Sequence, residues 1–250
     1  MRILDSRVAV VTGAASGIGR AISEAFVGEG MRVVLADRNA TALSEVVDEL
    51  RAVGANVHGV VVDVTDHQAV ERVAAETIEQ FGAVHVAVNN AGVVNRGYSW
   101  ELSLEEWQQV VNVNLWGVIH GVRAFVPRIL ATGEEGHVVN VGSMASVIAL
   151  DPLGPYTVAK HGVLGLSDVL RAEFRELGAP IGVSVVMPGR VKTGMNPYGK
   201  LPAAMVAVNV LDAIKHDRPY VFTDGDSTNE VHDRLTAIIN ARNDVVRQDI

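Results

Sequence analysis

Val8-Ala9-Val10-Val11-Thr12-Gly13-Ala14-Ala15-Ser16-Gly17-Ile18-Gly19 runs from an apolar, β-branched stretch through a glycine-punctuated turn into a helix-forming segment. A strand that ends in such a turn and opens a helix sets backbone amides and a helix N-terminus where they can meet a pyrophosphate. Gly13 suits the tight turn, Gly17 a close backbone approach and Gly19 the packing of the helix behind it. The next apolar run leads to Asp37. A carboxylate at that point can accept hydrogen bonds from both hydroxyls of an adenosine ribose and repel a 2′-phosphate, which favours NAD over NADP. Arg38 beside it has the opposite tendency, because a guanidinium welcomes that phosphate, so NADP stays open.

Outward from this stretch the same rhythm repeats. Short apolar runs at 8–11, 33–35, 57–62, 84–88, 137–141, 182–186 and 220–222 alternate with helical stretches such as 66–81, 104–130, 156–177 and 202–216. Near-continuous apolar strands separated by helices predict an α/β protein, a parallel sheet of seven buried strands covered on both faces. No linker or repeat interrupts the pattern, so residues 1–250 read as one domain. A final helix is expected over about 226–247, with Val231, Leu235 and Ile238 or Ile239 at helical spacing.

Composition narrows the function classes. The chain has 48% apolar residues and 24 glycines, with 21 basic against 29 acidic side chains for a net charge of −8. Without a basic cluster to neutralise phosphates, nucleic acid is not expected as a partner. There is no cysteine, hence no disulfide, thiolate metal site or cysteine nucleophile. The eight histidines include no i, i+4 pair, and no metal is assigned. No apolar stretch reaches the ~18 residues of a spanning helix, and charges interrupt the first residues, so a soluble cytoplasmic protein without a membrane partner is expected.

Tyr156 and Lys160 lie one helical turn apart, in Tyr156-Thr157-Val158-Ala159-Lys160. On one helix face the ammonium can stabilise the phenolate, so that a group with a usual pKa near ~10 carries protons close to neutral pH. Ser143, in Gly142-Ser143-Met144-Ala145-Ser146, lacks the Gly-x-Ser-x-Gly elbow of a serine hydrolase. Its alternative role is to cap a turn.

Taken together, in order and with matching spacing, these motifs resemble the short-chain dehydrogenase/reductase family over residues 5 to about 195. The resemblance implies a Rossmann-type doubly wound sheet with strand order 3-2-1-4-5-6-7. It also implies an oxidoreductase acting on CH–OH groups, with NAD, or less expectedly NADP, as cofactor. Asn114, Ser143, Tyr156 and Lys160 are then the catalytic set. Tyr156 is the general acid/base, Ser143 holds the substrate oxygen, and Lys160 binds the nicotinamide ribose. Asn114 interrupts a helix and holds a water linking the lysine to solvent, while Asn112 faces elsewhere. Gly13, Ser16, Gly17, Ile18 and Gly19 form the cofactor turn, and Asp63 and Val64 the adenine contact. Asn90, Ala91 and Gly92 follow the fourth strand, Asn90 toward the ribose. Pro188, Gly189, Val191 and Thr193 face the nicotinamide. Asp63 has the alternative of capping the helix near Asp66, and Asn89 that of tying strands together.

Two departures from the family pattern bear on the substrate. The segment between Thr193 and the helix near Pro202 is short, within a substrate-loop region of about 190–205, and no glycine-rich ending follows the last strand. A more open pocket, or one covered by a partner subunit or the C-terminal segment, is expected. Val93, Val94, Met144, Val147, Ile148, Leu150, Met187 and Met195 are its candidate walls. Their apolar character points to a neutral secondary alcohol or its ketone, although Arg190 can admit an anionic group. The amphipathic helices 107–130 and 156–177 resemble those that pair across the family's dimer axis, so a homodimer or homotetramer is expected. The alternatives are a nucleotide-binding regulator without turnover, or a related epimerase, lyase or dehalogenase; the intact glycine turn argues against the last.

Overall fold

The computed structural model describes residues 1–223, 225 and 227–248. Strand β1 (Val8–Thr12) leads into α1 (Gly17–Gly28), β2 (Arg32–Asp37) into α2 (Ala40–Ala52), and β3 (Val57–Val61) into α3 (His67–Phe81). After β4 (Val86–Asn89) come α4 (Leu104–Val111), a π-helical turn at Asn112–Trp116 and α5 (Gly117–Thr132). Strand β5 (Gly136–Val141) is followed by a 3₁₀ turn at Met144–Ser146 and by α6 (Gly154–Leu177). The chain closes with β6 (Ile181–Met187), the two-residue strands β7 (Val191–Lys192) and β8 (Leu201–Pro202), α7 (Ala203–His216), β9 (Tyr220–Phe222) and α8 (Thr228–Gln248).

Seven strands form one parallel sheet in the order β3-β2-β1-β4-β5-β6-β9. This is the expected order. Only the ordinal of the last strand changes, because β7 and β8 pair with each other beside the main sheet. Alternation along each strand sends successive side chains to opposite faces. Ala9 and Val11 join Val33 and Leu35 beneath α1, α2 and α7, whereas Val8 and Val10 join Val34 and Ala36 beneath α3, α5 and α6. Both faces are buried, which is why β1 reads as an unbroken apolar run.

Local signals explain the boundaries. Asn39 caps α2 through Ala42 N, Asp66 caps α3 through Gln68 N and Ala69 N, and Ser103 with Glu106 forms a capping box on α4. The helical stretch 104–130 is divided by the π-helical turn around Asn114, the interruption that the family resemblance implied. Asp226, the expected start of the final helix, lies outside the described residues, and α8 begins at Thr228. The chain order reverses between β1 and β4, so the loops after these strands diverge and leave a crevice at their C-terminal ends.

Candidate active site

That crevice is a cleft of about 830 Å³. Its first end is built on β1. Thr12 Oγ1 accepts the backbone N–H groups of Asn90 (3.0 Å) and Ala91 (3.2 Å), locking the turn after β4 against the turn after β1. The Asn90 side-chain amide donates to the carbonyls of Thr12 (2.9 Å) and Gly13 (3.2 Å). Asn90, expected to reach toward a ribose, therefore uses its side chain to hold the glycine turn. Gly13, Ser16, Gly17 and Ile18 line the cleft. Gly19 does not: a Cβ there would stand 2.2 Å from the Gly13 carbonyl oxygen and 2.5 Å from Asn90 Nδ2, so its bareness makes room for the turn instead of a ligand. Gly17 has φ +54, a left-handed conformation that L side chains rarely adopt. Ser16 precedes α1 without spending its hydroxyl on a cap, which leaves a donor beside the helix N-terminus, a combination suited to a phosphate.

Asp37 closes this end. Its carboxylate accepts from Ala15 N (3.0 Å) and Asn39 N (2.9 Å), bonds that hold it at the tip of β2 beside exposed Arg38. Asp63 and Val64 form the neighbouring wall. Asp63 bonds Thr65 N (2.9 Å) and Thr65 Oγ1 (2.8 Å), while Asp66 is the helix cap, so the capping alternative for Asp63 does not hold. Asn89 is a strand tie, as expected: its amide donates to Asn140 Oδ1 (2.9 Å), whose own amide donates to Ser167 Oγ (3.0 Å) on α6.

The other end gathers Asn114, Ser143, Tyr156 and Lys160 with Pro188, Gly189, Val191 and Thr193. Proline near the first turn starts α6 just ahead of Tyr156, and the four-residue spacing carries Lys160 to the same side. The Lys160 ammonium donates to Val141 O (2.7 Å) at the end of β5 and lies 5.6 Å from the Tyr156 ring centroid. Burial pushes the Lys160 pKa down to about 8. Burial also raises that of Tyr156, opposed by its hydrogen bond with Ser143. Tyr156, expected to be lowered by Lys160 one helical turn away, is instead raised by its burial. Ser143 additionally accepts Ala145 N (3.1 Å), so it caps the 3₁₀ turn while facing the cleft. The Asn114 amide donates to Val93 O (2.8 Å) and Val110 O (2.9 Å) and accepts Val93 N (3.2 Å), tying the π-helical turn to the loop after β4.

Among the expected walls, Val93, Val94, Met144, Leu150 and Met195 line the cleft. Val147, Ile148 and Met187 do not. Met187 and Ile148 are buried, and Val147 and Met187 pack into the cluster with Val118, Val163 and Val185, because strand alternation and the 3₁₀ turn point them inward. Sequence reasoning missed Arg96, Asp151, Leu153 and Ser227, which all reach the cleft. Leu153, three residues before Tyr156 and bridged to Gly97, was within reach of motif-based reading; Arg96 and Ser227 arrive by a loop and a tail that no local pattern marks. The short 194–201 segment is pinned at both ends, since β7 pairs with β8 and the amides of Lys200 (2.8 Å) and Leu201 (3.1 Å) donate to Arg190 O. Among the described residues no group of three or more His, Asp or Glu is set to hold a metal, and no helix is long and apolar enough to cross a membrane.

Comparison with known proteins decides what this cleft belongs to. The sequence model described as short chain dehydrogenase matches residues 7–200. The chain is a short-chain dehydrogenase/reductase. A 1-deoxy-11-beta-hydroxypentalenate dehydrogenase of Streptomyces exfoliatus is 40% identical to this short-chain dehydrogenase/reductase over 244 residues, covering 93% of this chain and 88% of the relative. A short-chain dehydrogenase/reductase from Burkholderia phymatum, solved in complex with NAD, superposes with a TM-score of 0.91 at 36% identity, covering 93% of this chain and 94% of that one. An actinorhodin polyketide ketoreductase solved with NADPH gives a TM-score of 0.82 at 30% identity over 89% of this chain and 97% of that one. An oxidoreductase with a nicotinamide cofactor and a small-molecule substrate follows for this member of the family.

Proposed function

We propose that the enzyme exchanges hydride between NAD and a neutral secondary alcohol or its ketone, with Tyr156 carrying the proton. The observation that carries this reading is the convergence of Ser143, Tyr156 and Lys160 at one end of a cleft whose other end is the glycine turn. When bound, the nicotinamide group supplies the hydride acceptor or donor. Tyr156 removes the hydroxyl proton in oxidation and returns it in reduction. Ser143 donates to the substrate oxygen as charge develops there. Lys160, with a pKa of about 8, is mostly protonated at neutral pH; one of its three donors is spent on Val141 O, and the others serve the ribose hydroxyls. Asn114 is a positioning residue: its side chain is spent on Val93 and Val110, so its main chain is left to hold the water that serves Lys160.

For the cofactor, Gly13, Ser16, Gly17 and Ile18 take the pyrophosphate, Asp63 and Val64 flank the adenine, and Val191 and Thr193 hold the nicotinamide amide. Asn90, its side chain committed, offers its main chain to the ribose side. NAD is favoured over NADP because Asp37 is ordered on Ala15 N and Asn39 N with its charge at the tip of β2. The apolar walls Val93, Val94, Met144, Leu150 and Met195 favour a neutral substrate, and the name of the hydroxypentalenate dehydrogenases supports the oxidative direction. A second reading, an anionic substrate, is favoured by exposed Arg96 and Arg190 on the cleft and by the pentalenate in the same relatives' name.

An absorbance assay with NAD and NADP in parallel, over neutral and carboxylated secondary alcohols and the matching ketones, tests these readings. Net reduction of NAD by a neutral alcohol is expected. A preference for carboxylated substrates would favour the second reading, tight cofactor binding with no turnover across the panel a regulator, and transient rather than net reduction an epimerase.

A further inference from the structure

Among the described side chains of α8, none belongs to the hydrophobic clusters on the sheet. From 228 to 245 every residue is exposed except half-buried Val231 and Thr236. Leu235, Ile238, Ile239 and Val245 stand 47%, 53%, 57% and 58% exposed. An isolated helix of this length draws little stability from propensity alone; what normally holds one is the packing of an apolar face. The apolar positions recur with the 4-3-4-3 step of a coiled-coil seam at 231, 235, 238, 242 and 245, with Arg242 in one seam position.

Charge decides what can cover that seam. In parallel self-pairing Arg242 would face Arg242 of the partner subunit in one layer. In antiparallel pairing Leu235 meets Ile238 of the partner subunit, and Val231 meets the aliphatic stem of Arg242 of the partner subunit. Its guanidinium then lies beside Glu230 and Asp233, which flank Val231 at the acidic start of the helix. We infer that α8 is a docking surface for a second copy of this chain, the two helices packing antiparallel through Val231, Leu235, Ile238 and Val245. This surface is separate from the helices expected to form the family's dimer axis. A helix pair of this length buries on the order of 1,000 Å², at the low end for a stable complex, so the association is concentration-dependent.

The surface is coupled to the cleft. Ser227, just before α8, lines it, and the Arg234 guanidinium donates to Val147 O (2.6 Å), directly after the 3₁₀ turn that Ser143 caps. Pairing α8 therefore braces the rim over the substrate end.

Sedimentation velocity of the full chain against Leu235→Glu/Ile238→Glu tests the surface. The variant is expected to halve the assembly mass while cofactor binding and the far-UV circular dichroism of the folded chain stay unchanged; an unaltered mass overturns the inference. Arg242→Glu is expected to weaken the same step at least tenfold, and adding Glu230→Lys and Asp233→Lys to restore it; failure to restore overturns the antiparallel arrangement. Because the natural chain lacks cysteine, Leu235→Cys and Ile238→Cys chains can be mixed and oxidised. Crosslinks between the two variants are expected, and crosslinks only within each variant overturn the arrangement. Capture by phosphatidylserine vesicles that the Glu variant loses, at unchanged mass, would make the face a lipid surface and overturn the second copy.

Discussion

At the scale of single residues the site depends on burying groups that water would otherwise stabilise. Tyr156 is raised and Lys160 lowered by the same desolvation, so each is moved toward its neutral form and made responsive to what binds beside it. Tyr156→Phe should retain cofactor affinity, read by calorimetry, and lose turnover by several orders of magnitude; retained turnover would remove the phenol from the proton path. Asp37→Ala should narrow the ratio of kcat/KM for NAD over NADP, and an unchanged ratio would move discrimination to Arg38. His137, wholly buried on β5, bonds Ser184 Oγ through Nε2 (2.8 Å), and burial holds its pKa at about 3. The unfolded chain, with a pKa near ~6.5, takes up the proton first, so stability is full above that value and falls as pH drops toward 3. Urea unfolding should show about 2 kcal/mol less stability at pH 5 than at pH 7 from this group, and His137→Gln should remove that increment.

At the scale of elements, the first turn and the first helix were legible because glycine has few other uses in that order. Yet the spacing alone could not distinguish a glycine that faces ligand from one that faces protein. Gly19 is of the second kind, and Gly19→Ala would drive a methyl against the Gly13 carbonyl, separating the turn from Asn90. Cofactor affinity should fall at least tenfold, with stability lower by roughly 1–3 kcal/mol as for an overpacked core site. The segment 194–201 is similar in kind: its length is read from sequence, but its attachment by β7, β8 and Arg190 O is not. Hydrogen exchange across 194–205 with and without NAD should show added protection on binding; unchanged protection would mean the segment does not close. The π-helical turn at Asn114 was signalled only through the family motif.

At the scale of the whole molecule, α6 leaves Val158 and Val169 about half exposed on its outer side. That stripe and the outer side of α5 are the proposed dimer face, and it is distinct from α8. Val169→Asp should halve the mass seen by sedimentation without altering cofactor affinity, because a charge in a desolvated interface has no partner there. An unchanged mass would place assembly entirely elsewhere.

What the sequence by itself determined is the sheet, its seven strands and the family to which the chain belongs. Those properties rest on alternation, on glycine and proline stereochemistry, and on motifs short enough to be local. Only the tertiary structure decided how individual side chains are spent. Asn90 spends its side-chain amide on the carbonyls of the glycine turn, Asp63 bonds Thr65 rather than a helix end, and Met187 and Ile148 turn into the core. Arg96 and Ser227 reach the cleft from distant parts of the chain. Each of these outcomes is a contest among partners far apart in sequence, settled by which donors and acceptors burial leaves without water, and no local pattern contains that information.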